Sequence, residues 1–155
     1  MIRMAEGVKV VATNRKAGFE YFLLDRFEAG LALMGSEIKS IRAGQMSIKE
    51  AYVDVQNARN AWLIEAHIAP YVQANRYNHD PKRKRRLLLH KRQIRDLWNA
   101  VRMKGMTVVP TRVYLKDGRA KVEIALARGK KAHDKRAGIA KRDQSRERDR
   151  ASRVR

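Results

Sequence analysis

The sequence contains no cysteine, which excludes disulfide bonds, thiolate nucleophiles and cysteine-ligated zinc. It also lacks long hydrophobic runs, because no apolar stretch approaches the length of about 20 residues that a membrane-spanning helix needs. The N-terminal segment MIRMAEGVKV has no apolar core of the kind found in secretory signal peptides. These absences predict a cytoplasmic protein that does not bind or cross a membrane.

Motifs for catalysis, metal binding and nucleotide binding are also missing. There is no HExxH, no Walker loop and no GxGxxG, and the histidines are scattered: His67, His79, His90 and His133. His79–Asp80 has the residue types of a general base with an orienting carboxylate, but before Pro81 such a pair more often caps a turn. We therefore predict no catalytic residue, metal, cofactor or small-molecule substrate. The weaker alternative is an RNA-processing enzyme that uses His79 and Asp80.

Acidic residues are few compared with basic ones: 16 Asp and Glu stand against 36 Lys and Arg, and the formal net charge is +20. The positive charge is concentrated in KRKRRLLLHKR at residues 82–92 and in a tail at residues 128–155, which holds one third of the basic residues. Such a surplus indicates a polyanionic partner, and nucleic acid is favoured over an acidic membrane. A general basic rRNA-binding or RNA-chaperone protein is the alternative that composition leaves open.

The chain is long enough for one domain of ordinary size. Runs rich in β-branched and aromatic residues predict roughly six short strands: VKVVAT, EYFLLDRFEAGLALMG, AYVDVQ, AWLIEAHI, TVVPTRVYL and RAKVEIALA. Hairpins with inserted helices favour an all-β core, a small antiparallel OB-like β-barrel with two or three flanking helices and a basic C-terminal tail. We place the barrel domain at residues 1–127 and the tail at residues 128–155.

Three helices are predicted from capping residues and apolar spacing. Asn14 is a candidate N-cap for a short first helix. Ser36 is a candidate N-cap for a second helix, which carries Lys39 and Arg42 on one face. A third helix over residues 90–104 ends at Gly105, and its apolar face is formed by Ile94, Leu97, Trp98 and Val101.

Glycine, proline and alternation predict details of the strands and loops. Gly30 suits a bend or bulge, and Pro110 suits an edge or a strand end. KDG is an Asp-Gly turn that joins the last two strands. In the last strand, alternation separates inward Val122, Ile124 and Leu126 from outward Lys121, Glu123 and Ala125. The polar segment after Pro70, YVQANRYNHDPKRKRR, is predicted to run over the surface.

Two tryptophans and one carboxylate are candidates for base recognition. For Trp62 and Trp98, strand and helix positions favour packing in the core over stacking on bases. Glu28 is unusual in a basic protein, because its carboxylate can accept hydrogen bonds from guanine N1–H and N2–H₂ or from cytosine N4–H₂ in an unpaired loop. The alternative for Glu28 is a cross-strand pair with an arginine.

The tail has too few hydrophobic residues to dock on its own domain, since only Ile139 and Val154 are sizeable beyond Ala132. We expect it to be disordered when free. Its residues are good helix formers, so phosphate groups that neutralise its charge would let a helix form on binding. The alternative is a solvated tail that acts as non-specific electrostatic glue.

Three stretches, FEAGLALMGSEIKSIRAGQMSIKEAYV, HDPKRKRRLLLHKRQI and TVVPTRVYLKDGRAKVEIALARGKKAHDKR, closely resemble the SsrA-binding protein family, also called small protein B. The resemblance runs from about Asn14 into the tail. It implies an OB-fold RNA-binding factor of trans-translation that is not an enzyme. Such a protein binds the tRNA-like domain of transfer-messenger RNA (tmRNA) and delivers it to stalled 70S ribosomes.

The resemblance also implies site residues. Those that match the family's tmRNA contacts are Asn14, Glu28, Lys39, Arg42, Leu88 and Lys121. Those that match the part of the tail entering the 16S rRNA decoding centre and the empty mRNA channel, where it folds as a helix, are Gly129, Lys130, Lys131, His133, Asp134, Lys135, Arg136, Lys141 and Arg142. The chain departs from the family pattern at Phe19 and at Gln144, so the contacts made there are not carried over.

Overall fold

The structure, a computed structural model, describes residues 8–131, 135, 136 and 139, with residues 75 and 76 described by their backbone only. Its elements in chain order are β1 (Val8–Thr13), α1 (Arg15–Glu20), β2 (Tyr21–Leu31), α2 (Gly35–Arg42), β3 (Met46–Ser47), β4 (Tyr52–Val55), β5 (Ala61–Ile64), β6 (His67–Ile68), a 3₁₀ helix (Val72–Tyr77), β7 (Arg85–Leu88), α3 (Lys91–Lys104), β8 (Thr107–Lys116) and β9 (Arg119–Gly129).

The main sheet closes on itself, which confirms the predicted antiparallel OB-like barrel. Its order is β1-β8-β4-β5-β7-β2-β9, and a further pairing of β9 with β8 completes the ring. Every strand pair is antiparallel. Alternation along the strands sends one set of side chains into a single core, whose fully buried members include Leu63, Leu87, Val113, Val122 and Ile124. None of the helices among the described residues is long and apolar enough to span a membrane.

The predicted β8–β9 hairpin is confirmed, since Asp117 and Gly118 both have positive φ, as a two-residue type I′ turn requires. Two strand predictions are wrong. Pro110 lies inside β8, beside the bulge between Pro110 and Arg112. Ala125 is buried rather than exposed, as are Ile124, Leu126 and Ala127 beside it, so burial does not alternate at this end of β9.

Helix α1 begins after its predicted N-cap, and α3 begins and ends as predicted. The Asn14 Oδ1 atom accepts from the N–H of Ala17 at 3.3 Å, and Gly105 ends α3 in the left-handed conformation. The second helix is present as predicted, but its predicted N-cap is wrong, because the N-cap is Met34, whose N–H donates to a Glu37 oxygen at 2.8 Å. Ser36 lies inside the helix instead.

Gly30 lies within β2 and is not the predicted bulge, which occurs between Leu23 and Arg26. Its neighbours explain why a glycine stands there. Gly30 pairs with Leu88 of β7 on one side and with Lys121 of β9 on the other. A Cβ atom at Gly30 would lie 3.2 Å from the Leu88 Cβ, so a larger residue would force Leu88 to move away by a few tenths of an ångström.

The prediction that the segment after Pro70 runs over the surface is wrong for His79 and Arg85, which are both buried. The His79 ring contacts the Ser36 hydroxyl through Nδ1 at 2.8 Å and the Ile68 carbonyl oxygen through Nε2 at 2.9 Å. Because a carbonyl only accepts, Nε2 carries a hydrogen. Strand β7 follows within the basic run and completes the barrel wall.

Candidate nucleic-acid interface

The outer face of the barrel is polar and mostly basic. Because side chains alternate, the strand positions between the core residues point outward. They carry Arg86 and Leu88 on β7, Arg26 and Glu28 on β2, Arg119, Lys121 and Glu123 on β9, and Arg112, Tyr114 and Lys116 on β8. Cations outnumber carboxylates on this face, as binding of a phosphate backbone requires.

A groove of about 1150 Å³ crosses this face between the barrel wall and the start of α3. The predicted RNA contacts Glu28, Leu88 and Lys121 line it together. They are neighbours because Leu88 and Lys121 flank Gly30, two positions after Glu28 on β2. Leu88 is 55% exposed, so it offers an apolar surface to a base or ribose.

The groove is also lined by cations that the sequence analysis did not name as site residues. They are Arg59, Arg86, Lys91 and Arg95. His90 lines the groove as well. Arg86 and Lys91 could have been suspected from the sequence, because they lie in the basic run at residues 82–92. Arg59 and Arg95 lie outside that run. Only the fold brings the α3 start and the β4–β5 turn to one groove.

Glu28 has a tyrosine and a lysine as partners rather than the arginine of the alternative prediction. The Tyr114 hydroxyl donates a short hydrogen bond to Glu28 Oε2, and the Lys116 Nζ atom lies 3.7 Å from the same oxygen. Burial raises the pKa of the Tyr114 phenol, and the hydrogen bond to the Glu28 carboxylate raises it further. The arginines nearby, Arg26 and Arg112, pair instead with Glu123 at 3.3 and 3.4 Å.

The other predicted tmRNA contacts lie outside the groove. Lys39 and Arg42 are exposed on α2, where Lys39 Nζ lies 5.6 Å from the centre of the Tyr71 ring and Arg42 donates to the Gly118 carbonyl at 3.4 Å. Asn14 is 9% exposed, and besides its capping bond it donates to the Pro110 carbonyl at 3.0 Å. The structure thus gives Asn14 a role in joining α1 to β8.

The predicted ribosome-contacting segment begins at the far end of the barrel from the groove. Gly129 pairs with Tyr21 as the last residue of β9. Lys130 donates through its backbone N–H to the Glu20 carbonyl at 2.9 Å and through Nζ to the Gly18 carbonyl at 3.0 Å. Lys131 is exposed, and Lys135 and Arg136 have helical backbone. The remaining residues of the prediction, His133, Asp134, Lys141 and Arg142, lie outside the described residues.

A buried ion cluster connects helix α2 to strand β7 and to the loop before it. The sequence analysis did not predict this cluster. Glu37 on α2 accepts at 2.5 Å from Arg83 Nη2 and at 2.5 Å from Arg85 Nε. Glu37 and Arg85 are each fully buried. The Arg85 guanidinium also donates to the carbonyls of Ala66, Asp80 and Pro81. The Glu37 cluster therefore fixes α2, the loop before β7 and β7 itself to one another.

The remaining candidate residues are accounted for by structural contacts. Asp80 accepts from the Lys82 N–H at 3.0 Å, so it caps a turn as predicted and does not touch the His79 ring nitrogens. Trp98 packs against the core as predicted. The core prediction for Trp62 is wrong, because it alternates outward on β5, where Lys84 Nζ lies 4.5 Å from its ring centre. Within the described part of the chain, no group of three or more His, Asp or Glu side chains is placed to hold a metal ion.

A closed antiparallel barrel with a basic outer face and a groove that joins cations to one apolar and one carboxylate side chain defines an RNA-binding protein of the OB-like class. The family model described as SmpB protein matches residues 11–154. The chain belongs to the SmpB protein family, which confirms the resemblance seen in its sequence.

Individual relatives agree with this membership. A protein of Desulforudis audaxviator named SsrA-binding protein is 54% identical over 148 residues, covering 96% of this chain and 96% of that protein. One of the same name from Afipia carboxidovorans is 52% identical over 154 residues, covering 99% and 98%. A solved chain described as "tmRNA-SmpB: a journey to the center of the bacterial ribosome" is 42% identical, with a TM-score of 0.64, and the match covers 81% of this chain and 86% of that chain.

Proposed function

We propose that this protein is an RNA-binding factor of trans-translation that binds the tRNA-like domain of tmRNA and delivers it to stalled ribosomes. The observation that carries the proposal is the groove, in which Glu28, Leu88 and Lys121 meet in a chain of the SmpB family. The solved structure of a relative in a tmRNA–SmpB complex of the bacterial ribosome supports the same partners. The role is binding and delivery in the cytoplasm, without catalysis.

The proposal assigns different tasks to the two parts of the chain. The barrel of residues 1–127 binds tmRNA, with Asn14, Lys39 and Arg42 as further contacts. The predicted tail starts at residue 128, but Arg128 and Gly129 belong to β9 and Lys130 is bonded to α1. The residues after Lys130 are disordered when free and become helical in the decoding centre and mRNA channel, where they take the place of a codon–anticodon pair. Lys130, which is bonded to Gly18 and Glu20, marks the point at which the tail leaves the barrel.

A second candidate is a general basic rRNA-binding or RNA-chaperone protein, and the cations that line the groove favour it. The two functions differ in selectivity. We expect the protein to bind the tmRNA tRNA-like domain at least about 10-fold more tightly than unfractionated tRNA at physiological salt. The measurement is competition binding with labelled tRNA-like domain. Equal affinity for both RNAs would favour the general binder and overturn the proposal.

Glu28→Ala is expected to weaken binding of the tRNA-like domain by about 10-fold, although it makes the protein more basic. The reason is that the carboxylate accepts hydrogen bonds from base edges, which alanine leaves unpaired. The measurement is the dissociation constant at fixed salt. Glu50→Ala is the matched control, because Glu50 is exposed and lies outside the groove, so its loss changes charge alone. If both variants bind more tightly, recognition is purely electrostatic.

A further inference from the structure

We propose that Tyr114 is a positioning residue for RNA recognition: its hydroxyl holds one oxygen of Glu28 so that the other faces base donors in the groove. The inference rests on the proposed function, since it concerns the same RNA site. It adds a residue outside the predicted set of RNA contacts and outside the groove lining. It also assigns the discrimination between bases to a pair of side chains on strands that are not neighbours.

The contact spans the width of a strand. Glu28 is on β2 and Tyr114 is on β8, and β9 lies between them in the barrel. Neighbouring strands are about 4.8 Å apart, so the two side chains together bridge roughly 10 Å of sheet. The tyrosine is long and rigid, and the Arg112 guanidinium, 5.2 Å from the ring centre, packs on it. Tyr114 is 6% exposed, so its ring has little freedom to turn away.

Only one oxygen of Glu28 is occupied. Oε2 accepts from the Tyr114 hydroxyl and has Lys116 Nζ at 3.7 Å. Among the described residues, no hydrogen bond or ion pair reaches Oε1. The Glu28 side chain is 41% exposed and lines the groove. A glutamate on an open strand would otherwise lose side-chain entropy when it binds RNA, and the bond to Tyr114 removes part of that cost beforehand.

The oriented carboxylate selects by donor and acceptor character. Oε1 accepts from imino and amino groups of an unpaired guanine or cytosine. It repels phosphate oxygens, so it disfavours RNA that meets the groove with backbone alone. A phenol carries its proton at neutral pH, and burial and the bond to Glu28 raise the pKa of Tyr114 further, so it remains a donor. The cations that line the groove then supply affinity for phosphate, while Tyr114 and Glu28 supply the discrimination between bases.

Tyr114→Phe tests the proposal, because it removes the hydroxyl and keeps the ring on which Arg112 packs. We expect about 5-fold weaker binding to the tRNA-like domain and no change for unfractionated tRNA. In a Glu28→Ala background, Tyr114→Phe should have no further effect, because its action runs through the carboxylate. Tyr52→Phe is the matched control, on an exposed tyrosine of β4 outside the groove. It should bind as the wild type does.

Two results would overturn the inference. One is wild-type affinity of Tyr114→Phe alongside a weakened Glu28→Ala. The other is an equal loss from Tyr114→Phe with and without Glu28, together with a lowered Tm, which would mark a purely structural role. Failure of the proposed function looks different, since the wild-type protein itself would then show no preference for the tRNA-like domain over tRNA.

Discussion

Glu37→Gln is expected to lower the free energy of unfolding by about 3 kcal/mol, because it leaves buried guanidinium groups without a counter-charge. Glu37 and Arg85 are both fully buried, and a second cation, Arg83, shares the carboxylate. Glutamine has nearly the same shape, so the change isolates the charge. Replacing a buried partner costs more than the pair itself contributes, since the remaining ion cannot reach water.

Urea unfolding followed by circular dichroism measures this effect, with Glu50→Gln as the control for loss of an exposed carboxylate. The control should change stability by less than about 0.5 kcal/mol. A loss in Glu37→Gln as small as that of the control would mean that the Glu37 cluster is not a stabilising feature of the barrel.

The same cluster sets the acid sensitivity of the fold. Burial by itself raises the pKa of Glu37, but hydrogen bonds from Arg83, the Met34 N–H and Arg85 outweigh it and hold the pKa below its ordinary value. A carboxylate whose pKa is lower in the folded state stabilises the fold above its unfolded pKa, and this contribution is lost as pH falls through the folded pKa. The acid slope of stability should therefore be shallower in Glu37→Gln.

The second large effect is expected from deleting residues 132–155. Tagging of peptides on stalled ribosomes should be abolished, while affinity for the tRNA-like domain should stay within about 2-fold of wild type. The reason is that the groove is built from residues of the barrel, and the cut leaves Lys130 bonded to α1. The measurements are binding to the isolated RNA domain and tag addition in a reconstituted system. A large loss of affinity would refute the division of tasks between barrel and tail.

A tail of the same composition in shuffled order separates the two roles considered for it. It keeps the charge and the helix-forming residues but not the order of side chains. If the tail acts by specific contacts in the decoding centre, the shuffled chain should fail to support tagging. If the shuffled chain does support tagging, the tail acts through its positive charge alone, without specific contacts.

The barrel was predictable where local pattern and packing agree. The Asp-Gly turn, the alternation of burial over residues 119–124 of β9 and the apolar face of α3 each depend on residues close in sequence, and all three are confirmed. Strand β7 was missed because Arg85 occupies one of its core positions. A pattern reading places arginine in solvent, and its partner Glu37 is 48 residues away.

The site was predictable in part. Glu28 stood out as a carboxylate in a basic chain, and family resemblance supplied Leu88 and Lys121. Their meeting around Gly30 depends on strand register, which no local pattern encodes. The contact of Tyr114 with Glu28 is less accessible still, because it depends on the register of β9 with both β2 and β8.

The ladder between β2 and β9 joins Gly30 to Lys121 at the groove and Tyr21 to Gly129 where the tail departs. At about 3.3 Å per residue, it makes a stiff spacer of roughly 25 Å between the two. The length of β2 and β9 therefore determines how far from the bound RNA the C-terminal tail begins. Lengthening both strands by two residues would displace that starting point by roughly 7 Å without altering either contact surface.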